Sequence, residues 1–235
     1  MALILKNLSY NNLIREITIS YKPGSLYGII GPNGAGKSSL LKTVTGIWQP
    51  TSGLVEWNGK DLLKQPREEI SKTISLVPQN PQLQFDITAY EMAALGRYPH
   101  HEKHLHSLAV ERGLKHADAW HLKDAFLSEL SGGEKQRIYI ARALTTEAPV
   151  ILLDEPMTHL DLRHQLDIWK LLRQMAEQGK TVIAAIHDLA AASRHCDELQ
   201  VIHQGRSLTY GPGPAVLTDK LLKEVFGLLR NEISF

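Results

Sequence analysis

The sequence predicts a mixed α/β fold built around a parallel sheet, and three patterns support this prediction. Two compact apolar runs, at residues 150–153 and 181–186, are separated by a helical pattern at 162–178. That order is typical of a βαβ crossover, which joins parallel strands. Short β segments fill the first 60 residues, whereas residues 88–148 carry apolar residues at helical spacing. We therefore expect an α/β core with a β subdomain and an inserted α-helical subdomain.

Glycine and proline divide the first part of the chain into short segments. Turns are predicted at Pro23-Gly24, Ser52-Gly53 and Asn58-Gly59. The apolar run at 26–30 predicts a buried strand. Residues 1–6 predict a first strand rather than a signal peptide, because no positive leader precedes a long apolar run. We expect sheet around one early helix.

The later segments complete the expected organisation. Helices are predicted at 91–96, 107–119 and 134–144. Two strands, at 199–203 and 206–210, flank Gln204-Gly205, and the tail at 214–229 has a helical pattern. We therefore expect a core with its β subdomain at 1–87 and 149–235, and a helical subdomain at 88–148.

Composition narrows the class of protein. The 235 residues are 43% hydrophobic, which is enough to bury a substantial core. The 26 basic and 25 acidic residues give no strong net field, so composition does not point to nucleic acid or an anionic membrane surface. Cys196, the single cysteine, cannot form an internal disulfide, which fits the cytosol. Apolar runs are strand-sized, so membrane attachment is expected only through a partner.

A phosphate-binding loop follows the apolar run at 26–30. The motif GxxxxGK[ST] is matched by Gly31, Pro32, Asn33, Gly34, Ala35, Gly36, Lys37 and Ser38, and it opens a helical pattern that ends near Gly46. Glycines let backbone N–H groups face phosphates, and the helix N-terminus adds partial positive charge. Lys37 is expected to reach the β- and γ-phosphates and Ser38 to bind Mg²⁺, with Ser39 as a secondary contact.

This loop alone leaves the class of nucleotide enzyme open. ATPases, GTPases and small-molecule kinases share it, so a second motif must separate them. A GTPase is disfavoured because Asn58-Gly59-Lys60-Asp61 does not match the base-reading pattern NKxD.

A second glycine-turned helix start lies at Leu130-Ser131-Gly132-Gly133-Glu134. This segment resembles the LSGGQ-type signature of the ATP-binding-cassette (ABC) family, with Glu134 where glutamine is commoner. The same family carries a phosphate-binding loop. The resemblance implies a P-loop NTPase (RecA-like) core with an antiparallel β subdomain and the inserted α-helical subdomain. It also implies a head-to-tail homodimer, in which Ser131, Gly132 and Gly133 of one subunit close over ATP bound by the other. In isolation Ser131 could also be an ordinary helix cap, but its combination with the other motifs favours the signature.

Paired carboxylates end the apolar strand at 150–153. Asp154 and Glu155 are therefore expected at the carboxyl edge of a parallel sheet, where ligands bind. His187 follows the strand at 181–186 and should emerge at the same edge. A strand can also end in acidic residues simply because it reaches solvent.

The family resemblance assigns roles to these side chains and to three others. Asp154 is similar to the aspartate that positions Mg²⁺, Glu155 to the general base, and His187 to the switch histidine. Three more residues resemble family positions: Gln79, the Q-loop glutamine with a carbonyl for Mg²⁺ or water, Asp161, the D-loop residue, and Tyr10, the adenine-stacking aromatic. Met157 departs from the threonine or serine often found in that loop, and Tyr10 could instead be a strand-surface aromatic.

The segment Ala94-Leu95-Gly96-Arg97-Tyr98-Pro99-His100 and the tail at 216–227 resemble ATPases of iron-chelate, haem and cobalamin importers. This implies a pair of ATPase subunits on the cytoplasmic face of the cell (inner) membrane, with membrane permeases and a separate substrate-binding protein. Permease contact is expected around residues 79–99. The alternative is a non-transport ABC protein acting on nucleic acid or the ribosome. That class usually carries coiled-coil or zinc insertions or two cassettes, so no nucleic-acid partner is expected.

A group of histidines suggests a further hypothesis. Imidazoles at short spacing can share a cation, and four lie close in sequence: His100, His101, His104 and His106. A solvated surface is the favoured interpretation.

Overall fold

The structure is a computed structural model of the chain and describes residues 1–79, 81, 85–101 and 106–233. Ten strands of the described residues form two sheets. The first sheet is antiparallel with the order β2-β1-β4-β5, comprising β1 (Leu3–Tyr10), β2 (Ile14–Tyr21), β4 (Ser52–Trp57) and β5 (Lys60–Asp61). The predicted turns at Pro23-Gly24 and Asn58-Gly59 are confirmed.

The turn predicted at Ser52-Gly53 is wrong, because both residues lie inside β4. Gly53 instead forms an irregularity in the ladder, since the register between β1 and β4 shifts between Lys6 and Ser9. Its φ of 78° lies in the left-handed region, and a Cβ there would lie 2.3 Å from the carbonyl oxygen of Asn7. A glycine in a strand pattern therefore marks a bulge here rather than a turn.

The second sheet has the order β10-β9-β3-β8-β7-β6 and confirms the predicted parallel core. Its strands are β3 (Ser25–Ile30), β6 (Ile74–Val77), β7 (Val150–Asp154), β8 (Thr181–Ala185), β9 (Glu198–His203) and β10 (Arg206–Gly211). All neighbours pair in parallel except β9 and β10, the two strands predicted on either side of Gln204-Gly205, which pair antiparallel. Since β3, β8 and β7 are adjacent, the segments that leave their carboxyl ends meet at one edge.

Helices pack against the parallel sheet and recur in the described part of the chain between β6 and β7. They are α1 (Lys37–Val44), α2 (Arg67–Thr73), α3 (Ala89–Ala94), α4 (His106–His116), α5 (Gly132–Thr145), α6 (Leu162–Glu177), α7 (Leu189–His195), α8 (Gly213–Val216) and α9 (Asp219–Leu221). Short 3₁₀ turns lie at Leu62–Lys64, Leu95–Arg97, Trp120–Leu122, Leu127–Glu129 and Arg230–Glu232. In the described part of the chain, no helix is long and apolar enough to cross a bilayer.

The predicted helical tail at 214–229 is broken into short pieces. Only α8, α9 and a π turn at Leu222–Phe226 are helical there. The Oγ1 atom of Thr218 caps α9 by accepting a hydrogen bond from the backbone N–H of Leu221 at 3.2 Å. Gly227, with φ 69°, ends the π turn. Apolar periodicity correctly indicated helix but carried no information about these interruptions.

Two hydrophobic clusters bury both faces of the parallel sheet. On β7, Val150 and Leu152 face the cluster that contains α1 and the antiparallel sheet, whereas Ile151 and Leu153 face the cluster of α3 to α6. Burial on both faces explains why this strand is a continuous apolar run rather than an alternating one. Helices of the segment 88–148 share their cluster with the sheet, and the proposed division into subdomains stays a prediction.

The bulge in β4 makes a first testable prediction. Gly53→Ala should lower the free energy of unfolding by about 2–4 kcal/mol, because its Cβ would meet the backbone of Asn7 and its φ is left-handed. Gly59→Ala is the matched control, since Gly59 has a φ of 75° but no atom within 4 Å of its Cβ position. For Gly59→Ala, urea denaturation should show a loss of only about 1–2 kcal/mol in the free energy of unfolding. Equal losses would contradict the steric argument.

Candidate active site

The loop between β3 and α1 forms a tight cradle, which we call the phosphate cradle (residues 31–38). A Cβ on Gly31 would lie 2.1 Å from the carbonyl oxygen of Ile202, and one on Gly36 would lie 2.8 Å from that of Leu13. Gly36 also has a φ of 108° and caps α1. Glycine is therefore required at these two positions, by close approach of backbone and, at Gly36, by conformation.

Lys37 is the first residue of α1 and is almost fully buried. Its Nζ atom donates hydrogen bonds to the carbonyl oxygens of Gly31, at 2.8 Å, and Pro32, at 3.2 Å. Burial lowers the pKa of the Lys37 ammonium, and the nearby carboxylates of Glu155 and Asp154 oppose that shift. A cation therefore lies along the inner wall of the cradle, where a phosphate group would offset its desolvation.

A cleft of about 640 Å³ opens over the phosphate cradle. The structure brings ten of the predicted site residues to its wall: Asn33, Gly34, Ala35, Gly36, Lys37, Ser38, Ser39, Gln79, Glu155 and His187. Leu13 and Thr158 line the same cleft and were not predicted from the sequence. Leu13 lies in the turn between two strands that pair with each other, so only the fold brings it to residues 33–39.

Ser38 lines the cleft and contacts Asp154, the last residue of β7. The Oγ atom of Ser38 donates a hydrogen bond of 2.8 Å to Oδ1 of Asp154, which is 5% exposed. Burial raises the pKa of Asp154, and the Ser38 hydrogen bond opposes that shift. In the described residues, no group of three or more His, Cys, Asp or Glu side chains could hold a metal ion. A hydroxyl beside one carboxylate does fit Mg²⁺, which usually takes one or two protein ligands and completes its shell with phosphates and water.

Glu155 lies at the centre of a group of polar side chains from three segments. Its carboxylate accepts hydrogen bonds from Nε2 of Gln79 and, at 3.4 Å, from Oγ1 of Thr158, and it contacts Nε2 of His187. The Glu155 side chain is only 11% exposed. Its φ of 53° is left-handed, and its backbone N–H donates to the carbonyl oxygen of Ala185 at 3.2 Å. A strained backbone of this kind is common at functional sites.

The second glycine turn, here the signature turn (residues 130–133), lies away from this cleft. Ser131 caps α5, and Glu134 completes a capping box: its carboxylate accepts from the Ser131 backbone N–H at 2.8 Å and from the hydroxyl at 2.6 Å. Ser131 and Gly132 are exposed. Ser131 is therefore a helix cap within its own chain. This cap does not exclude a contact between Ser131 and a nucleotide bound elsewhere. The hydrogen bonds from Ser131 lower the pKa of Glu134.

Three predicted residues do not line the cleft themselves: Gly31, Pro32 and Asp154. Each is hydrogen-bonded to Lys37 or Ser38, which do line it.

Two further predicted residues, Tyr10 and Asp161, also lie outside the cleft. Tyr10 does not line it, and its ring stacks on Trp48 with centroids 5.0 Å apart, which favours the alternative of a structural aromatic. Asp161 caps α6, accepting from the backbone N–H of His164 at 2.9 Å. That hydrogen bond lowers the pKa of Asp161. Neither residue lines the cleft over the phosphate cradle.

The described histidines of the proposed cluster each have a separate partner. Nε2 of His100 lies 2.9 Å from the carbonyl oxygen of Thr146, and Nε2 of His106 lies 3.1 Å from that of His100. His101 pairs with Glu68 at 3.0 Å. These contacts favour the interpretation as surface, whereas His104 lies outside the described residues.

Comparisons with known proteins bear on this geometry. Residues 14–158 match the family model described as ABC transporter. The chain is 37% identical over 224 residues to the hemin import ATP-binding protein HmuV of Pseudomonas putida, covering 93% of this chain and 88% of that protein. It is 35% identical over 219 residues to the ferric enterobactin transport ATP-binding protein FepC of Escherichia coli, covering 91% and 81%.

A longer relative and a solved structure extend the comparison. The cobalamin import ATP-binding protein BtuD of Halobacterium salinarum is 36% identical over 223 residues, and the chain spans 56% of its length while 93% of this chain is covered. The structure of cbiO1 from Clostridium perfringens, part of the ABC transporter complex cbiONQ, superposes with a TM-score of 0.82 at 32% identity, covering 93% of this chain and 91% of that one.

The capping box of α5 makes a prediction about pH. The folded-state pKa of Glu134 is lowered below 4.5, so its charge stabilises the fold above that pH, and this stability is lost as pH falls through the folded pKa. Glu134→Gln should therefore lower Tm at pH 7, and the deficit should shrink as pH falls below 4.5. Glu129→Gln is a control, because Glu129 similarly accepts from the backbone N–H of Phe126, at 3.0 Å, but caps only the three-residue 3₁₀ turn Leu127–Glu129. A deficit that is independent of pH would contradict the role of the charge.

Proposed function

This chain belongs to the ABC transporter family, and we propose that it is the ATP-binding and ATP-hydrolysing subunit of an importer for a metal chelate or cobalamin. The observation that carries the proposal is Glu155, a mostly buried carboxylate held by Gln79, Thr158 and His187 at the wall of the phosphate cradle. The relatives named above supply the class of cargo, since they are ATP-binding proteins of hemin import, ferric enterobactin transport and cobalamin import.

The cleft supplies the parts that phosphoryl transfer to water requires. The cradle and the N-terminus of α1 bind the phosphates, and Lys37 is placed to neutralise their charge. Ser38 and Asp154, with the side-chain carbonyl of Gln79, would hold Mg²⁺. When bound, the ion would offset negative charge that develops on the phosphates. Glu155 orients and polarises the attacking water, and its contacts with Gln79 and His187 fix the direction in which its carboxylate points.

We also propose that two copies of the chain act together, head to tail, with ATP between them. The signature turn is exposed at the N-terminus of the 14-residue α5 but lies outside the cleft of its own chain. The same helix terminus suits the γ-phosphate bound by another copy. Ser131, Gly132 and Gly133 then complete the site of the partner, and Asp161 lies at the contact between the copies.

A second surface fits a membrane permease. A groove of about 340 Å³ lies between α1, α2, β6 and the 3₁₀ turn Leu95–Arg97. Large apolar side chains are exposed at its rim, with Ile47 at 56%, Leu95 at 52% and Tyr98 at 90%. Apolar exposure of this kind is typical of interaction sites. Docking here would place the chain on the cytoplasmic face of the membrane, with a substrate-binding protein on the other side.

Glu155→Gln tests the hydrolytic role and the proposed function together. The chain should be co-expressed with its neighbouring permease, reconstituted in vesicles, and assayed for ATP-dependent uptake of labelled haem, ferric siderophores and cobalamin. The variant should keep ATP binding and lose hydrolysis by at least about 100-fold, since it removes the base but keeps the shape. Uptake of one cargo by the wild type, lost in the variant, is the expected result.

Two outcomes would count against the proposal. Undiminished turnover in Glu155→Gln would remove this residue as the base. If no permease complex forms and nucleic acid stimulates hydrolysis instead, the non-transport alternative is correct.

Tyr98→Asp tests the permease groove. A charge at this 90% exposed position should leave Tm within about 2 °C of the wild type, because exposed substitutions rarely change stability. The substitution should weaken copurification with the permease by at least about tenfold, because docking would then bury a carboxylate in an apolar contact. Tyr210→Asp, at an exposed tyrosine on the edge strand β10, is the matched control. Equal retention of the permease by both variants would exclude this surface.

A further inference from the structure

The imidazole ring of His164 lies directly against the signature turn. Gly133 is buried, and a Cβ there would lie 2.3 Å from Cδ2 and 2.6 Å from Cγ of His164. Gly133 has no left-handed φ, so backbone conformation does not require glycine. The ring of His164, on α6, therefore occupies the volume that any side chain at Gly133 would need.

The same histidine is bonded to Asp161, at the other end of the first turn of α6. Oδ1 of Asp161 accepts from the His164 backbone N–H at 2.9 Å and from its Nδ1 atom at 2.8 Å. The second contact fixes the direction of the imidazole plane, because Nδ1 must point at the cap while the Cδ2 edge faces Gly133. One side chain thus connects the cap of α6 with the start of α5.

The contacts continue from Asp161 back to Glu155. The backbone N–H of Thr158 donates to the carbonyl oxygen of Glu155 at 3.2 Å. The backbone N–H of Leu160 donates to the carbonyl oxygen of Met157 at 3.3 Å. Leu160 also approaches Gly132, whose Cβ position lies 3.7 Å from Cδ2 of Leu160. A short segment with internal backbone hydrogen bonds therefore connects Glu155 of one site to the turn proposed to serve the other.

We propose that His164 is a positioning residue that holds the signature turn and the segment 155–161 as one unit. This rests on the proposed function, in which the signature turn acts on ATP bound by a second copy. A change at Glu155 is then transmitted to the signature turn through the ring of His164 rather than through the core. His164 touches neither nucleotide nor the attacking water in this scheme.

The contact itself is tested by a double-mutant cycle in unfolding. Gly133→Ala should lower Tm by about 3 °C or more in the wild-type background, because its methyl group meets the ring. In the His164→Ala background the same change should leave Tm unchanged or raise it by about 1–3 °C, because alanine has a higher helix propensity than glycine. Equal shifts in both backgrounds would overturn the contact, whether or not the chain hydrolyses ATP.

The positioning role is tested by kinetics on the chain in complex with its permease. His164→Ala should lower kcat by at least about tenfold, while equilibrium ATP binding and the KM for ATP stay within about twofold, because the phosphate cradle is untouched. His164→Asn can still donate to Asp161 but has no ring to contact Gly133, so it should be equally slow. Glu177→Ala, at the exposed far end of α6, is the control and should match the wild type.

The outcomes separate this inference from the proposed function. Wild-type turnover in His164→Ala, or full recovery in His164→Asn, would overturn the positioning role. A wild-type complex with no ATPase activity would instead contradict the proposed function, and the unfolding cycle would still decide whether the ring holds the signature turn.

Discussion

Parallel pairing of β8 with both β3 and β7 is the constraint on which the candidate site depends. The three strands run in one direction, so the phosphate cradle, the Asp154–Glu155 pair and His187 all emerge at the same edge. The backbone N–H of Ile186 donates to the carbonyl oxygen of Ile29 at 2.9 Å, and that of Glu155 donates to Ala185 at 3.2 Å. The ladder therefore continues to the first functional residues, and their relative positions are set by backbone hydrogen bonds rather than by flexible loops.

This edge combines opposite charges in a buried setting. Burial lowers the pKa of Lys37 and raises that of Asp154, so each group loses solvation that a neighbour only partly replaces. The hydroxyl of Ser38 and the carbonyls of Gly31 and Pro32 supply the remaining hydrogen bonds. A triphosphate with its cation offers each of these groups a charged partner, and binding would therefore also stabilise the fold.

Local patterns predicted the parts of the site that depend on chain direction and backbone shape. An apolar strand followed by glycines predicted the cradle, and a strand ending in Asp154 and Glu155 placed both at the sheet edge. Contacts between distant side chains could not be predicted in this way. Tyr10 stacks on Trp48, and the helix start at Gly133 needs glycine because His164 lies against it, which no local pattern in either segment indicates. Gly53 shows the same limit, since glycine in a strand and glycine in a turn look alike in the sequence.

The start of α5 illustrates how stability and the proposed function oppose each other at one residue. Glu134 stabilises the helix because its carboxylate accepts two hydrogen bonds from Ser131 and interacts favourably with the N-terminal end of the helix dipole. The same charge lowers the positive potential that the signature turn would offer to a γ-phosphate. Glutamine could make the capping contacts without that repulsion. A carboxylate here therefore favours a well-ordered α5 in the free chain and weakens its attraction for nucleotide, so closure of two copies would depend more on the contact at Asp161.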